Sequence, residues 1–299
     1  MGITNFDLVQ ANGYIGSGEL IAPKNVIFLG NGGSSGTGGD GSYDFPFKTL
    51  SAAYTKATAA GFDVIKVFPT HDETLTAVQT CSKAGVSIIG MKAGNRRPRF
   101  TINGAVDLLS LTAANQMIRS LEFRIVTTDA ATAFVNVAAA NCWLDDLYMI
   151  PSATAVNVVD CITLASGGDD VLITNCVIKN TTVAVNSFIS IEAAIARGEI
   201  LNNFFFGDVA TAGIIDSAAA TLIRIENNTI GTIGTTIPAA TLDSNPTGVV
   251  DNNRFLGTHT TIATNFNGGN ALRQARSFVL EATDNSVQAT NIIPSLDVE

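Results

Sequence analysis

The sequence predicts an all-β solenoid, a parallel β-helix of about seven coils, on three observations. A four-residue phrase recurs: Ile118-Arg119-Ser120-Leu121, Leu144-Asp145-Asp146-Leu147, Ile173-Thr174-Asn175-Cys176, Ile200-Leu201-Asn202-Asn203, Ile225-Glu226-Asn227-Asn228 and Val250-Asp251-Asn252-Asn253. Its third positions step by 26, 29, 27, 25 and 25 residues. A second phrase, two residues flanking a variable one, precedes each of the first five, as in Leu109-x-Leu111, Val135-x-Val137, Ile162-x-Leu164, Ile189-x-Ile191 and Ile215-x-Ser217. Around both phrases apolar and polar residues alternate over three to five positions before a turn residue, which is the period of a strand and not of a helix. Units this short cannot bury an apolar face alone, so they stack on one another.

In the later coils the third position of the first phrase is asparagine. Asparagine tolerates the left-handed backbone of a tight bend, and its amide can bond the equivalent amide one coil away, at the ~4.8 Å spacing of stacked strands. Asn175, Asn202, Asn227 and Asn252 are therefore expected to form a structural ladder in one column. A leucine-rich repeat shares the period, but its phrase survives only as a partial echo from Leu108 to Asn115.

Ahead of the repeats, residues 1–24 read as an N-terminal arm. Its Ile3, Phe6, Leu8 and Val9 have no partner repeat to bury them and are expected to contact a partner protein or sister subunits. Residues 25–84 hold the first strands, at Asn25 to Leu29 and Asp63 to Pro69, with a glycine-rich loop from Gly30 to Gly41. They also hold a helix expected over Thr49 to Ala60, with Thr49 as N-cap, Gly61 as stop, and Leu50, Ala53, Tyr54 and Ala57 on one face. Laid over the first coil, that helix would cover the open end of the solenoid. Residues 85–256 are the β-helix proper, in which Val171 to Ile173 and Ile223 to Ile225 are expected to stack. The phrase is lost after Gly257, so 257–299 read as a C-terminal cap or arm.

Composition narrows the function classes. The chain of 299 residues is 46% hydrophobic and 14% charged, which excludes a disordered or collagen-like protein. A net charge of −9, with no basic run longer than Arg96-Arg97, argues against nucleic acid as a partner. No stretch approaches the ~18 apolar residues of a membrane span, and Met1 to Phe6 lacks the basic and apolar regions of a signal peptide, so neither a membrane nor Sec-type export is expected. Cys81, Cys142, Cys161 and Cys176 show no C-x-x-C spacing and sit in apolar runs, as free, buried thiols do.

Asn25 to Leu29, the glycine-rich loop ending in Tyr43-Asp44-Phe45-Pro46-Phe47, Thr49 to Ala53, Asp63 to Pro69, His71-x-Glu73-Thr74, Gly85 to Gly90 and Arg97-Pro98 together resemble the opening of pectin-lyase-like right-handed parallel β-helices. With Ile3-Thr4-Asn5-Phe6, they resemble more narrowly a group of virion-associated β-helical proteins of phages and prophages. The sequence departs from that pattern at Pro69-Thr70-His71, where the group carries a proline–glycine pair before the histidine. The resemblance covers residues 3–6 and about 25–255. It implies a right-handed parallel β-helix, location in the virion after synthesis in the host cytoplasm, assembly as a homotrimer, and contact with the major capsid protein or other virion proteins.

Catalytic constellations are not legible along the chain. Asp145-Asp146 and Asp169-Asp170 could supply the paired carboxylates of a glycosidase, and the second pair resembles that of polygalacturonase-like enzymes, but the accompanying Gly-His-Gly and Arg-Ile-Lys elements are missing. Asp146, Asp169 and Asp170 read as turn residues. Arg119, Arg124, Arg197 and Arg224 lack an acidic triad in sequence and read as solvated outward side chains. His71, Asp72 and Glu73 offer too few ligands for a closed metal site, and Gly36 to Gly41 formally match G-x-G-x-x-G without the helix that should follow directly. No cofactor, metal or catalytic residue is expected. The function expected is that of a non-enzymatic structural protein of a phage virion, first in capsid decoration and then as head fibre or tail component. The alternatives are a carbohydrate-active tailspike-type depolymerase and a non-catalytic glycan-binding adhesin.

Overall fold

The computed structural model describes residues 23–31, 39–125, 131–151, 158–233, 237–242 and 246–256, together with the strand segments 266–267, 272–275 and 277–280. The chain forms a right-handed parallel β-helix of about seven turns with one short helix. Every strand pair is parallel. One sheet of ten strands runs from Val26–Leu29 through Val64–Val67, Ser87–Gly90, Met117–Arg119, Trp143–Asp145, Leu172–Thr174, Glu199–Leu201, Ile223–Glu226 and Gly248–Asp251 to Leu272–Ala275. Strands Leu172–Thr174 and Ile223–Glu226 share this face but do not touch, because Glu199–Leu201 lies between them.

A fifteen-stranded sheet supplies two further faces. The second face starts at Asp72–Leu75, Arg99–Ile102, Glu122–Ile125 and Tyr148–Ile150, and the third at Gln79–Cys81, Leu109–Leu111, Ala131–Val137 and Val158–Leu164. The long strands Val177–Ile191 and Phe204–Asp216 run through both, which joins them.

Because side chains alternate across each strand, every coil contributes one inward residue per register position. On the first face Ile27, Ile65, Ile88, Ile118, Leu144, Ile173, Ile200, Ile225 and Val250 stack in one buried column. On the second, Phe100, Phe123, Met149, Ile178, Phe205, Ile230 and Phe255 do the same. These columns are the core, and the recurrence of the sequence phrase is their imprint.

The corner between the first and second faces is a single left-handed residue: Ser120, Asp146, Asn175, Asn202, Asn227 and Asn252 have φ between 51° and 58°. The four asparagines of the expected ladder therefore hold the corner, with exposed side chains. Turning through a left-handed residue aims the next side chain inward, so the buried amides lie one position later, at Asn203, Asn228 and Asn253. Asn228 Oδ1 accepts from the backbone N–H of Asn203 at 2.9 Å and from its Nδ2 at 3.0 Å. Asn253 Oδ1 repeats both contacts on Asn228, while the Nδ2 groups of Asn203, Asn228 and Asn253 donate to the carbonyls of Ile173, Ile200 and Ile225. On the outside, Asn252 Nδ2 donates to Asn227 Oδ1 at 2.6 Å.

The helix spans Leu50–Lys56, shorter than the expected 49–60. Thr49 caps it, accepting from the Ala52 N–H. It ends early because the buried Asp63 carboxylate takes the Thr58 N–H at 2.7 Å as well as the Asn25 amide groups, drawing the chain into an extended path. Leu50, Ala53 and Tyr54 are buried against the first coil, and Lys83 Nζ closes the C-terminus through the carbonyls of Tyr54, Thr55 and Ala57. All four cysteines are free and buried.

Candidate functional site

Ile3, Phe6, Leu8 and Val9 lie outside the described residues. Of the acidic pairs singled out in the sequence, Asp145 ends a strand while Asp146, Asp169 and Asp170 lie at turns, and all four are satisfied there. Asp145 meets Arg119 and the Asn175 amide, each at 2.9 Å. Asp146 binds Lys92, Arg97 and the Ser120 hydroxyl. Burial works to raise the Asp146 carboxyl, but the Lys92 and Ser120 hydrogen bonds and the Arg97 charge outweigh it and hold it below the ordinary range. Asp169 accepts the Ala196 N–H, and Asp170 forms a two-pronged pair with Arg197 at 2.5 and 2.7 Å.

The arginines expected to be solvated and outward do keep much of their side chains in solvent, and each is in addition paired: Arg119 with Asp145, Arg124 with Glu122, Arg197 with Asp170, and Arg224 with Glu199 and Glu226. His71 is buried, 3.0 Å from Glu73, whose other contact is the first N–H of the helix. Among the described residues no group of three His, Cys, Asp or Glu could hold a metal.

Chemistry-bearing groups do converge on the third face. The middle residue of the second phrase is polar in four consecutive coils, and Ser110, Asn136, Thr163 and Ser190 stack in one outward column. Thr163 and Ser190 are nonetheless buried. Beside the column, Asp160 accepts from the Ser187 hydroxyl at 2.5 Å and the Asn186 amide at 2.9 Å, and Asp107 accepts from the Asn136 amide at 3.0 Å. The remaining amide oxygen, Asn136 Oδ1, is buried without a hydrogen-bond partner. Glu192, just beyond this strand, has its carboxyl raised above the ordinary range by burial, then by the charges of Asp160 and Asp107, against a lowering bond from Ser190. Two carboxyls whose surroundings differ, one raised and one fixed as an acceptor, are the kind of groups that acid–base chemistry on a glycosidic bond uses.

None of these acids was legible as a site in the sequence, because each lies at a different offset from its phrase. The signal that could have pointed to the face is the run of polar residues at the variable position of the second phrase.

A second polar region lies on the outer side of the second face, where Arg99 bridges Asp72 at 3.2 Å and Glu122 at 3.0 Å. Along the same register column follow Tyr148, Val177 and the exposed Phe204, whose ring stacks near Phe206 at 6.5 Å and lies under the Lys179 ammonium.

No protein-family model matches the chain, and no curated protein matches it. Two solved structures are similar. The tailspike protein of the Acinetobacter phage vB_ApiP_P1 is 12% identical with a TM-score of 0.44; the match covers 80% of this chain and spans 56% of the tailspike's length. Pectate lyase Pel9A is 11% identical with a TM-score of 0.45, over 92% of this chain and 82% of its own. One expectation is corrected here. The absence of a legible catalytic motif led to a non-enzymatic protein, but one of the two matched solenoids is a lyase by name, so that inference does not hold. Its physical weakness is that a solenoid assembles a site across coils, from residues about 25 positions apart, where a search along the chain finds nothing. What the chain's own sheets and corners establish is a right-handed parallel β-helix.

Proposed function

We propose that this protein is a polysaccharide-degrading β-helix of a phage particle, of the tailspike depolymerase kind. The observation that carries the reading is the third-face group, in which Asp160 is held by Ser187 and Asn186 and the carboxyl of the exposed Glu192, at the end of the same strand as those two residues, is raised by burial and by the charges of Asp160 and Asp107. In cleavage, Glu192 would protonate the departing glycosidic oxygen, and Asp160, fixed by Ser187 and Asn186, would act as base or stabilise the developing positive charge. The half-buried Ser110 and Asn136 of the outward column would border the sugar. The virion location rests on the resemblance of residues 3–6 and about 25–255 to phage β-helices.

The test is incubation of the full chain with a panel of bacterial capsular and pectic polysaccharides, reading new reducing ends and the ultraviolet absorbance of unsaturated products. Cleavage that falls at least 100-fold in Glu192→Gln and Asp160→Asn, with glycan binding retained, is the expected result. A rate that declines as pH rises through the raised pKa of Glu192 would accompany it. Binding without product identifies an adhesin and overturns the catalytic reading.

A further inference from the structure

The corner between the first and second faces is a single residue in most coils, but between Ser87–Gly90 and Arg99–Ile102 it widens into a loop that carries Asn95, Arg96 and Arg97. With His71, Arg99 and Glu122 these residues line a cleft of about 210 Å³ on the outer surface. Its composition is unusual for a chain of net charge −9, because three guanidinium groups meet two carboxylates, Asp72 and Glu122.

Those two carboxylates are already engaged. Arg99 spends its Nε on Glu122 and one Nη on Asp72, and Glu122 also takes Arg124. Arg97 turns toward Asp146, which in addition holds Lys92. Since a guanidinium carries five N–H donors in a planar fork, Arg97 and Arg99 each retain unused donors after these contacts. Arg96 is exposed, and only its backbone is held, through the paired N–H and C=O of Ala93. Behind the wall of the cleft His71 is buried, with Nε2 facing Glu73. An exposed guanidinium beside two whose forks are only partly used is an arrangement suited to an oxyanion.

We propose that this cleft binds an anionic sugar residue, its guanidinium groups gripping a carboxylate, sulfate or phosphate substituent. This rests on the glycan reading above and adds to it the charge of the sugar. The recognised chemistry is a planar or tetrahedral oxyanion, for which a bidentate arginine fork is suited. The register column beyond the cleft, from Glu122 through Tyr148 to Phe204, spans about three strand spacings, or ~14 Å, and would carry the next sugars past two aromatic rings.

Binding of fluorescently labelled polygalacturonate, sulfated dextran and neutral dextran of matched length to the full chain tests this directly. The two polyanions are expected to bind and neutral dextran not to. Arg96→Ala, which removes no structural contact, is expected to weaken polyanion binding about tenfold, and Arg96→Glu to abolish it. Arg224→Ala removes an equal charge from the first face and is expected to leave binding unchanged. Equal binding of neutral dextran, or equal loss in Arg96→Ala and Arg224→Ala, overturns the proposal. Competition by inorganic sulfate as effective as by polygalacturonate would show a free-anion site and overturn the sugar assignment. Polyanion binding that depends on Arg96 in a protein that cleaves no polysaccharide leaves this inference standing and removes only the catalytic one.

Discussion

Replacing Asn228 by Ala probes the device that joins the last coils. Asn228 lies fully within the core column at 1% exposure, and its side chain closes four hydrogen bonds. Two are accepted from Asn203, through its backbone N–H and Nδ2, and two are donated, to the Ile200 carbonyl and to Asn253 Oδ1. Truncation leaves the Asn203 N–H buried without an acceptor, at about 1–3 kcal/mol. The other three bonds are lost from groups of which Asn203 Nδ2 and Asn253 Oδ1 keep another partner, at a few tenths to about 1 kcal/mol each. The expected cost is therefore about 3–5 kcal/mol. Asn227→Ala, its neighbour, loses one exposed contact from Asn252 and the asparagine preference for a left-handed corner, together about 1 kcal/mol. Guanidinium unfolding followed by far-ultraviolet circular dichroism compares the two variants at a common m-value, or by unfolding half-life if refolding is incomplete. If Asn227→Ala costs as much as Asn228→Ala, or if Asn228→Ala costs less than 1 kcal/mol, the inward amide column does not join the coils as described.

Three further outcomes are expected. Burial raises the thiols of Cys81 and Cys176 to about 12 and of Cys142 to about 11, and Cys161 well above its ordinary value. A thiol reagent at pH 8 should then label none of them in the folded protein and all four in denaturant, and rapid labelling of the native state would contradict the packing. The depressed Asp146 carboxyl stabilises the fold above the ordinary carboxylate pKa of ~3.9, and that contribution disappears as pH falls through its lower folded value. Asp146→Asn should accordingly cost about 1 kcal/mol at pH 7 and progressively less as pH falls below ~3.9, measured by denaturant titration at each pH. At Gly248, φ is +138° and a Cβ would run into the Ile223 carbonyl oxygen, so Gly248→Ala should destabilise by about 3 kcal/mol in thermal melts. A melt within 1 °C of the parent would show that the strands can separate there.

The sequence by itself determined the solenoid, because each coil must place an apolar residue at every inward register position and the strand period therefore repeats along the chain. It likewise determined the strands near 26–29, 64–67 and 87–90, the Thr49 cap and the burial of the cysteines, all of which follow from local pattern. Only the tertiary structure decided which asparagine of each pair enters the core. A left-handed residue at 202, 227 or 252 turns the side chain after it inward, and composition is blind to that half-turn. Tertiary structure alone also decided the charge pairs, since Arg97 reaches Asp146 across 49 positions and Arg99 reaches Glu122 across 23. The third-face acids and the arginine cleft belong to the same class. In a parallel solenoid, residues one coil apart are about 4.8 Å neighbours while the chain between them carries no trace of the meeting, so a site built across coils exists only once the register is fixed.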